Sequence, residues 1–304
     1  MNIVRLNSTG DIIKKGGSGG TGGVTINNQE KSVEITENGT IEITYDAGYT
    51  GLSKVVVNIS VQTGDKPLPY LTMVALEDNF TASLSGADCE YCINGNDKSW
   101  VQLPKGTETT AIKSGEKVSF RATQNPGTSS GLGTFSTSGS FNLEGDAASM
   151  VYSDIKFLHF YALFQSSKVV DASKLVLPLV VAMQQYNSCF RECLSLIAAP
   201  ELPSQDLTSG CYQFMFYKCE SLKIAPTLPA LTLQRDCYDS MLRECRQLGY
   251  VKAMFLEHQE YGYTNFWMMD VPSTGTFVKN SKATWTTTGN NGVPSGWTIE
   301  YADA

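Results

Sequence analysis

Residues 186–248 repeat themselves every 26 positions, and a chain that repeats at this interval has few folds open to it. Tyr186, Phe190, Cys193 and Leu196 recur as Tyr212, Phe216, Cys219 and Leu222, then as Tyr238, Leu242, Cys245 and Leu248. A degenerate earlier copy reads Phe160, Phe164, Ser167 and Val170. Pro203 and Pro229 keep the spacing, and Pro178 is off by one. A unit this short cannot enclose a core of its own, so it buries its apolar face against copies above and below. The expected architecture is a stacked array, which presents surface to a partner more readily than it builds a reaction centre.

Within each copy the aromatic, apolar and Cys positions fall at i, i+4 and i+7, which fits one face of a short helix. The Leu-x-x-Ala-Pro-x-Leu-Pro stretch that follows is expected to be extended, because proline ends a helix and biases its predecessor away from helical geometry. One helix and one extended segment per copy predict an α/β solenoid, a leucine-rich-repeat-like array over residues 153–255. From residue 251 on the period is lost, and three of the four tryptophans, Trp267, Trp285 and Trp297, cluster there. A solenoid end needs covering, so residues 256–304 are expected to form a β cap, for which a strand pair would serve.

The upstream half reads as mainly β. Residues 1–15 are followed by GGSGGTGG, a flexible linker, so residues 1–24 are expected to be an anchor and hinge. Residues 25–65 alternate through Val33, Ile35, Ile41, Ile43, Tyr45, Val55, Val57, Ile59 and Val61, with Asn38-Gly39 and Ala47-Gly48 as turns. That period of two predicts a small antiparallel β-module. Residues 66–152 hold short strand-like runs between Gly-rich turns, the pattern of a β-sandwich.

Bulk properties narrow the function. Only 17% of the chain is charged, and Gly, Ser, Thr and Asn are abundant, a mixture typical of β-rich extracellular or virion-type proteins. The net charge of −7 and the lack of any basic run argue against nucleic acid as a partner. The opening residues lack the apolar stretch of a secretory signal, and no run of 18 apolar residues predicts a membrane span. The longest apolar patch, residues 175–183, is interrupted by Pro178.

Six of the eight cysteines lie in the repeats. Cys193, Cys219 and Cys245 share one phase, and Cys211 and Cys237 share another, which suits small buried residues stacked in columns. A metal site would need convergent ligands, and the only histidines are His159 and His258. Cys89 and Cys92 form a lone C-x-x-C whose zinc or redox alternative lacks a second half-site.

Catalytic signatures are formal matches without their structural context. Gly127–Gly131 reads G-x-S-x-G but lies between Pro126 and a Gly/Ser-rich hairpin, not between a strand and a helix. Gly17–Gly22 reads G-x-G-x-x-G with no βαβ unit around it. Glu144 and Asp146 fit a turn, and His159 beside Phe160 fits a packed residue. No catalytic, cofactor or metal residue is assigned, and the expectation is a protein that is not an enzyme. What remains is the array surface, where positions that do not repeat are free to serve a partner. Arg191, Tyr217 and Arg243 share one phase, and Ser188, Phe214 and Ser240 share another. Arg191, Phe214, Tyr217 and Arg243 are therefore the candidate contacts for a glycan or protein, by stacking and forked hydrogen bonds. The alternative is that they are ordinary surface residues of a helix.

The repeats YNSCFRECLSLIAAPELPSQDL and CYQFMFYKCESLKIAPTLPALTL resemble the BspA-type leucine-rich repeats of Bacteroidetes surface proteins and of their phages. The close, GTFVKNSKATWTTTGNNGVPSGWTI, is similar to the element that commonly ends those arrays, and KVSFRATQNPGTSSGLGTFSTSGSFNLEGDAASMVY resembles the β-domain that precedes them. EITENGTIEITYDAGYTGLSKVVVNISV is similar to small β-modules of bacteriophage structural proteins. Together these imply a virion fibre or decoration protein of a Bacteroides-infecting, crAss-like phage. It would be made in the host cytoplasm, anchored to capsid or tail proteins through its N-terminal segment, and exposed on the particle as a homotrimer. The array would face the host surface or its glycans. The alternative that the same resemblance carries is a bacterial cell-surface adhesion protein of the BspA kind.

Overall fold

The computed structural model describes residues 2–6, 12–14, 25–27, 32–34, 39–45, 55–59, 70–96, 98–123, 131–151, 159–178, 181–258 and 262–303. The chain forms two units, residues 1–67 and 68–304. The Gly-rich linker, Asn38, the Ala47-Gly48 turn, Ile35, Val61 and residues 127–130 of the G-x-S-x-G match lie outside the described residues.

The first unit contains β1 (Asn2–Leu6), β2 (Ile12–Lys14), β3 (Thr25–Asn27), β4 (Ser32–Glu34), β5 (Gly39–Tyr45) and β6 (Val55–Ile59). Four of them form one sheet in the order β2-β1-β5-β6, and β3 pairs with β4. β5 and β6 are antiparallel, as expected, but β1 runs parallel to β5. The sheet is thus mixed rather than antiparallel, and residues 1–15 supply two of its strands. The period of two specifies a strand and its faces, not the direction of its neighbour.

The second unit begins with β7 (Leu71–Ala75), β8 (Ala82–Leu84), β9 (Cys89–Ile93), β10 (Val101–Leu103), β11 (Lys117–Ala122), β12 (Phe135–Thr137), β13 (Phe141–Asp146) and β14 (Val169–Val176). A six-stranded sheet has the order β10-β9-β11-β7-β13-β14, and β12 pairs with β8. Alternate residues enter the core: Leu71, Met73 and Ala75 from β7, Val118 and Phe120 from β11, Phe141 and Leu143 from β13. All pairs in the six-stranded sheet are antiparallel except the last, β13 with β14, which is parallel. That change of direction starts the stack.

Beyond it the fold is a β-solenoid-like stack of about six turns. Its extended legs bridge in parallel, Asp171 to Ala198 and Ile224 to Tyr250. They end in β15 (Tyr250–Ala253), β16 (Thr276–Asn280) and β17 (Thr298–Ala302), a parallel three-stranded sheet.

The other leg corrects the sequence reading. No α-helix occurs among the described residues; the helical elements are two short 3-10 turns, Ala147–Met150 and Gly289–Asn291. No helix there is long and apolar enough to cross a membrane. Residues 184–193 instead form consecutive tight turns. Amides of Cys189, Arg191 and Cys193 donate three residues back, to Tyr186, Ser188 and Phe190. Amides of Tyr186, Ser188 and Phe190 donate to the next rung, to Cys211, Gln213 and Met215. Every fourth residue is left-handed, with φ of 52° at Gln184, 60° at Ser188 and 61° at Glu192. A residue in that conformation interrupts a right-handed helix. The four-residue turn packs its first and last side chains into the core. It therefore buries Tyr186, Cys189, Phe190 and Cys193 at i, i+3, i+4 and i+7, the spacing that a helix also produces.

Stacking makes columns. Phe160, Tyr186, Tyr212, Tyr238 and Trp267 lie ring on ring, with successive centroids 5.4, 5.7, 6.1 and 6.4 Å apart. Phe135, Phe164, Phe190 and Phe216 form a second column at 5.7, 5.3 and 5.7 Å. Phe135 belongs to β12, so the column ties that strand to the rungs. One continuous core runs from Leu71 to Trp297.

The ladder also outlasts the sequence motif. Amides of Tyr238, Ser240, Leu242 and Glu244 donate to Tyr263, Asn265, Trp267 and Met269, the same step as between earlier rungs. Tyr250 pairs with Thr276, 26 residues on, before the step shortens to 22 between Thr276 and Thr298. The expected strand pair is three parallel strands that continue the stack. Thr264 replaces the column tyrosine, and Trp267 covers Tyr238 from a neighbouring position. Trp285 and Trp297 anchor their indole N–H groups on the carbonyls of Phe255 and Pro272.

Candidate functional site

Arg191, Phe214, Tyr217 and Arg243 occupy turn positions on three successive rungs. The structure brings together all four residues singled out in the sequence. The Arg191 guanidinium lies 5.1 Å from the Tyr217 ring centroid and 5.8 Å from that of Phe214. Arg243 lies 5.7 Å from the Tyr217 ring. Arg191 and Arg243 come from the rungs on either side, so Tyr217 sits between two guanidiniums. Phe214 packs edge-on against Tyr217 at 6.1 Å. All four are partly exposed.

Carboxylates neutralise the arginines. Glu192 pairs with Arg191 at 3.4 Å, and Glu244 pairs with Arg243 at 3.8 Å and with Arg246 at 3.5 Å. The Tyr217 hydroxyl donates to Glu244 Oε1 at 2.9 Å, and that bond raises its pKa above the usual phenol value. Each cation–π contact at an exposed site is worth about 0.5–1 kcal/mol. The cluster is pre-ordered, aromatic and nearly balanced in charge, which suits it to hold a ligand by contact rather than to attack one.

The remaining candidates take structural roles. His159 is buried, with Nε2 3.0 Å from the Met150 carbonyl and its ring edge-on to Phe160 at 4.8 Å. Burial lowers its pKa, so the neutral ring donates through Nε2. Glu144 pairs with Lys117 at 2.6 Å, and Asp146 accepts from the Ala148 amide at 2.8 Å. Cys89 and Cys92 both lie on β9, three positions apart, so their side chains leave opposite faces of the strand. Among the described residues, no group of three or more His, Cys, Asp or Glu converges to hold a metal ion.

Two features escape the sequence reading. Phe266, 48% exposed, stands at the Phe214 phase two rungs on. Its signal was present in the spacing, but the motif lapses before it is reached. On the six-stranded sheet, Arg121 lies 4.2 Å from the Trp100 ring centroid and 2.7 Å from Glu90, and Tyr70 meets Trp100 edge-on at 4.7 Å. These four residues come from separate segments, and no spacing announces them.

Compared with family models, with curated proteins and with solved structures, the chain matches none.

Proposed function

We propose that this chain is a bacteriophage virion protein, a head- or tail-attached fibre or decoration protein that displays its stack to the host surface. In this reading residues 66–152 are a β-sandwich, residues 153–255 a leucine-rich-repeat-like array of one turn leg and one extended leg per rung, and residues 256–304 its cap. The first unit attaches to other virion proteins, and the protein is a homotrimer. The observation that carries the display role is the Arg191–Tyr217–Arg243 sandwich with Phe214 beside it. Folding alone does not require a stacked, partly exposed aromatic and arginine cluster on the outward side of a rung. The repeat resemblance supports the phage setting.

The test is where the protein resides. Antibodies against the intact chain should label purified phage particles, and the chain should be recovered from them in stoichiometric amount. Labelling of bacterial envelopes with particles left unlabelled would overturn the reading in favour of the cell-surface adhesion protein. Deleting residues 1–24 is a poor probe of attachment, because it also removes β1 and β2 from their sheet.

A further inference from the structure

The turn face carries a pattern with twice the period of the rungs. One outward column reads Ser188, Phe214, Ser240, Phe266, so a phenyl ring and a small hydroxyl alternate from rung to rung. The column beside it reads Asn187, Gln213, Asp239, Asn265, a line of short polar groups. Asn187 Nδ2 donates to Gln213 Oε1 at 3.0 Å, and Ser240 Oγ donates to Asp239 Oδ1 at 2.7 Å, which holds that line in place.

Both phenylalanines take a left-handed position of the turn. Phe214 has φ of 54° and Phe266 has φ of 51°. A left-handed backbone costs a residue with a side chain about 1–2 kcal/mol, and glycine avoids that cost. Neither ring recovers it in the core: Phe266 is 48% exposed, and Phe214 is only partly covered by Tyr217. Ser188 and Ser240 share that backbone at the same phase, so the rung imposes it; what sets the phenylalanines apart is a large apolar ring left partly exposed there, which points to a ligand that uses the rings.

Geometry and charge select the ligand. Rungs that hydrogen-bond as strands do are about 4.8 Å apart, so the two rings are about 10 Å apart along the stack. That is the reach of two linked pyranose rings. Ser240, the small residue between the two rings, leaves low ground there, and Gln213, Asp239 and Asn265 alongside offer donors and acceptors to hydroxyls. Arg191 and Arg243 are already paired with Glu192 and Glu244, and Lys218 holds the rung position between those two carboxylates, so no cluster of positive charge is there to recruit an anionic ligand. We infer that the turn face binds a neutral, linear glycan laid along the stack axis, with sugar rings stacked on Phe214 and Phe266 and hydroxyls bonded to Gln213, Asp239 and Asn265. The inference rests on the display reading and names the ligand class of that same face.

The test uses the full-length protein in affinity electrophoresis through gels containing mannan, xylan, β-glucan or galactomannan, with a sulfated and a uronic-acid polymer as charged comparisons. Retardation by at least one neutral polymer is expected, unchanged by added salt. Phe214→Ala and Phe266→Ala should each weaken it about tenfold, the loss of one aromatic platform, and the double variant should abolish it. Phe266→Gly should lose binding while melting at the same or a higher temperature, which a merely structural ring would not allow. Retardation only by charged polymers, retardation that survives both substitutions, or no retardation by any neutral polymer would each overturn the inference. If the protein still labels virions in those cases, the display reading stands and only the ligand is wrong. If it labels no virion, the display reading itself has failed.

Discussion

Cys193, Cys219 and Cys245 combine small size with a weak donor, and their phase in the rung uses both. Each thiol is fully buried and donates to a carbonyl of the preceding rung, at Phe164, Phe190 and Phe216, over 3.0, 3.1 and 3.1 Å. The repeat made the column legible; the bond was not, because spacing says which residues stack and not what their edges touch. Ser167 fills this phase in the earliest copy and lies 3.6 Å from the Cys193 sulfur, so a hydroxyl is admitted there. Cys219→Ala should therefore cost about 1–2 kcal/mol by urea denaturation, from a lost hydrogen bond and a small void, and Cys219→Ser less. At the surface, Tyr217→Phe removes only the bond to Glu244 and keeps the ring between its guanidiniums. Its stability should change by less than about 1 kcal/mol, whereas Tyr217→Ala should free both arginine side chains, read as increased mobility of their Nε–H signals.

The rung is where the sequence was read well in one leg and wrongly in the other. Prolines 200, 203, 226 and 229 announce an extended leg, and single parallel bridges at Ala198, Ile224 and Leu228 mark that leg. The tight-turn leg imitates a helix in the sequence, because both structures bury i, i+3, i+4 and i+7. Composition held the contrary signal. Residues 184–193 contain no Ala or Leu and are rich in Tyr, Asn, Ser, Cys and Phe, which are indifferent helix formers. Periodicity outweighed propensity in the reading, and the inter-rung hydrogen bonds that decide the matter are invisible in a single copy. The same blindness hid the last rungs, where Thr264 breaks the aromatic motif while the backbone step is unchanged. Tyr212 sits between two stacked rings, so Tyr212→Ala removes contacts from three rungs at once. A loss of about 3–5 kcal/mol is expected in urea, among the largest for any single change in the array.

Across residues 68–304 the shared core makes the buried thiols act together. Burial pushes Cys211 up to about 11 and Cys89, Cys193 and Cys245 up to about 12; Cys189, Cys219 and Cys237 are raised as well, as are Tyr186, Tyr212 and Tyr238. The folded state keeps these protons where the unfolded chain loses them. Stability is therefore full below the ordinary thiol value of about 8.5 and declines as pH rises from there toward the folded values. The urea midpoint should be level near neutrality and fall steadily through the alkaline range; a flat profile there would contradict the packing. The rungs also decide how the protein bears force. Five amides, those of Gln184, Tyr186, Ser188, Phe190 and Glu192, reach from one rung to the next along the stack axis. Tension applied along that axis loads all of them together, so the rung resists as a bundle, while a sideways pull opens them singly from one end.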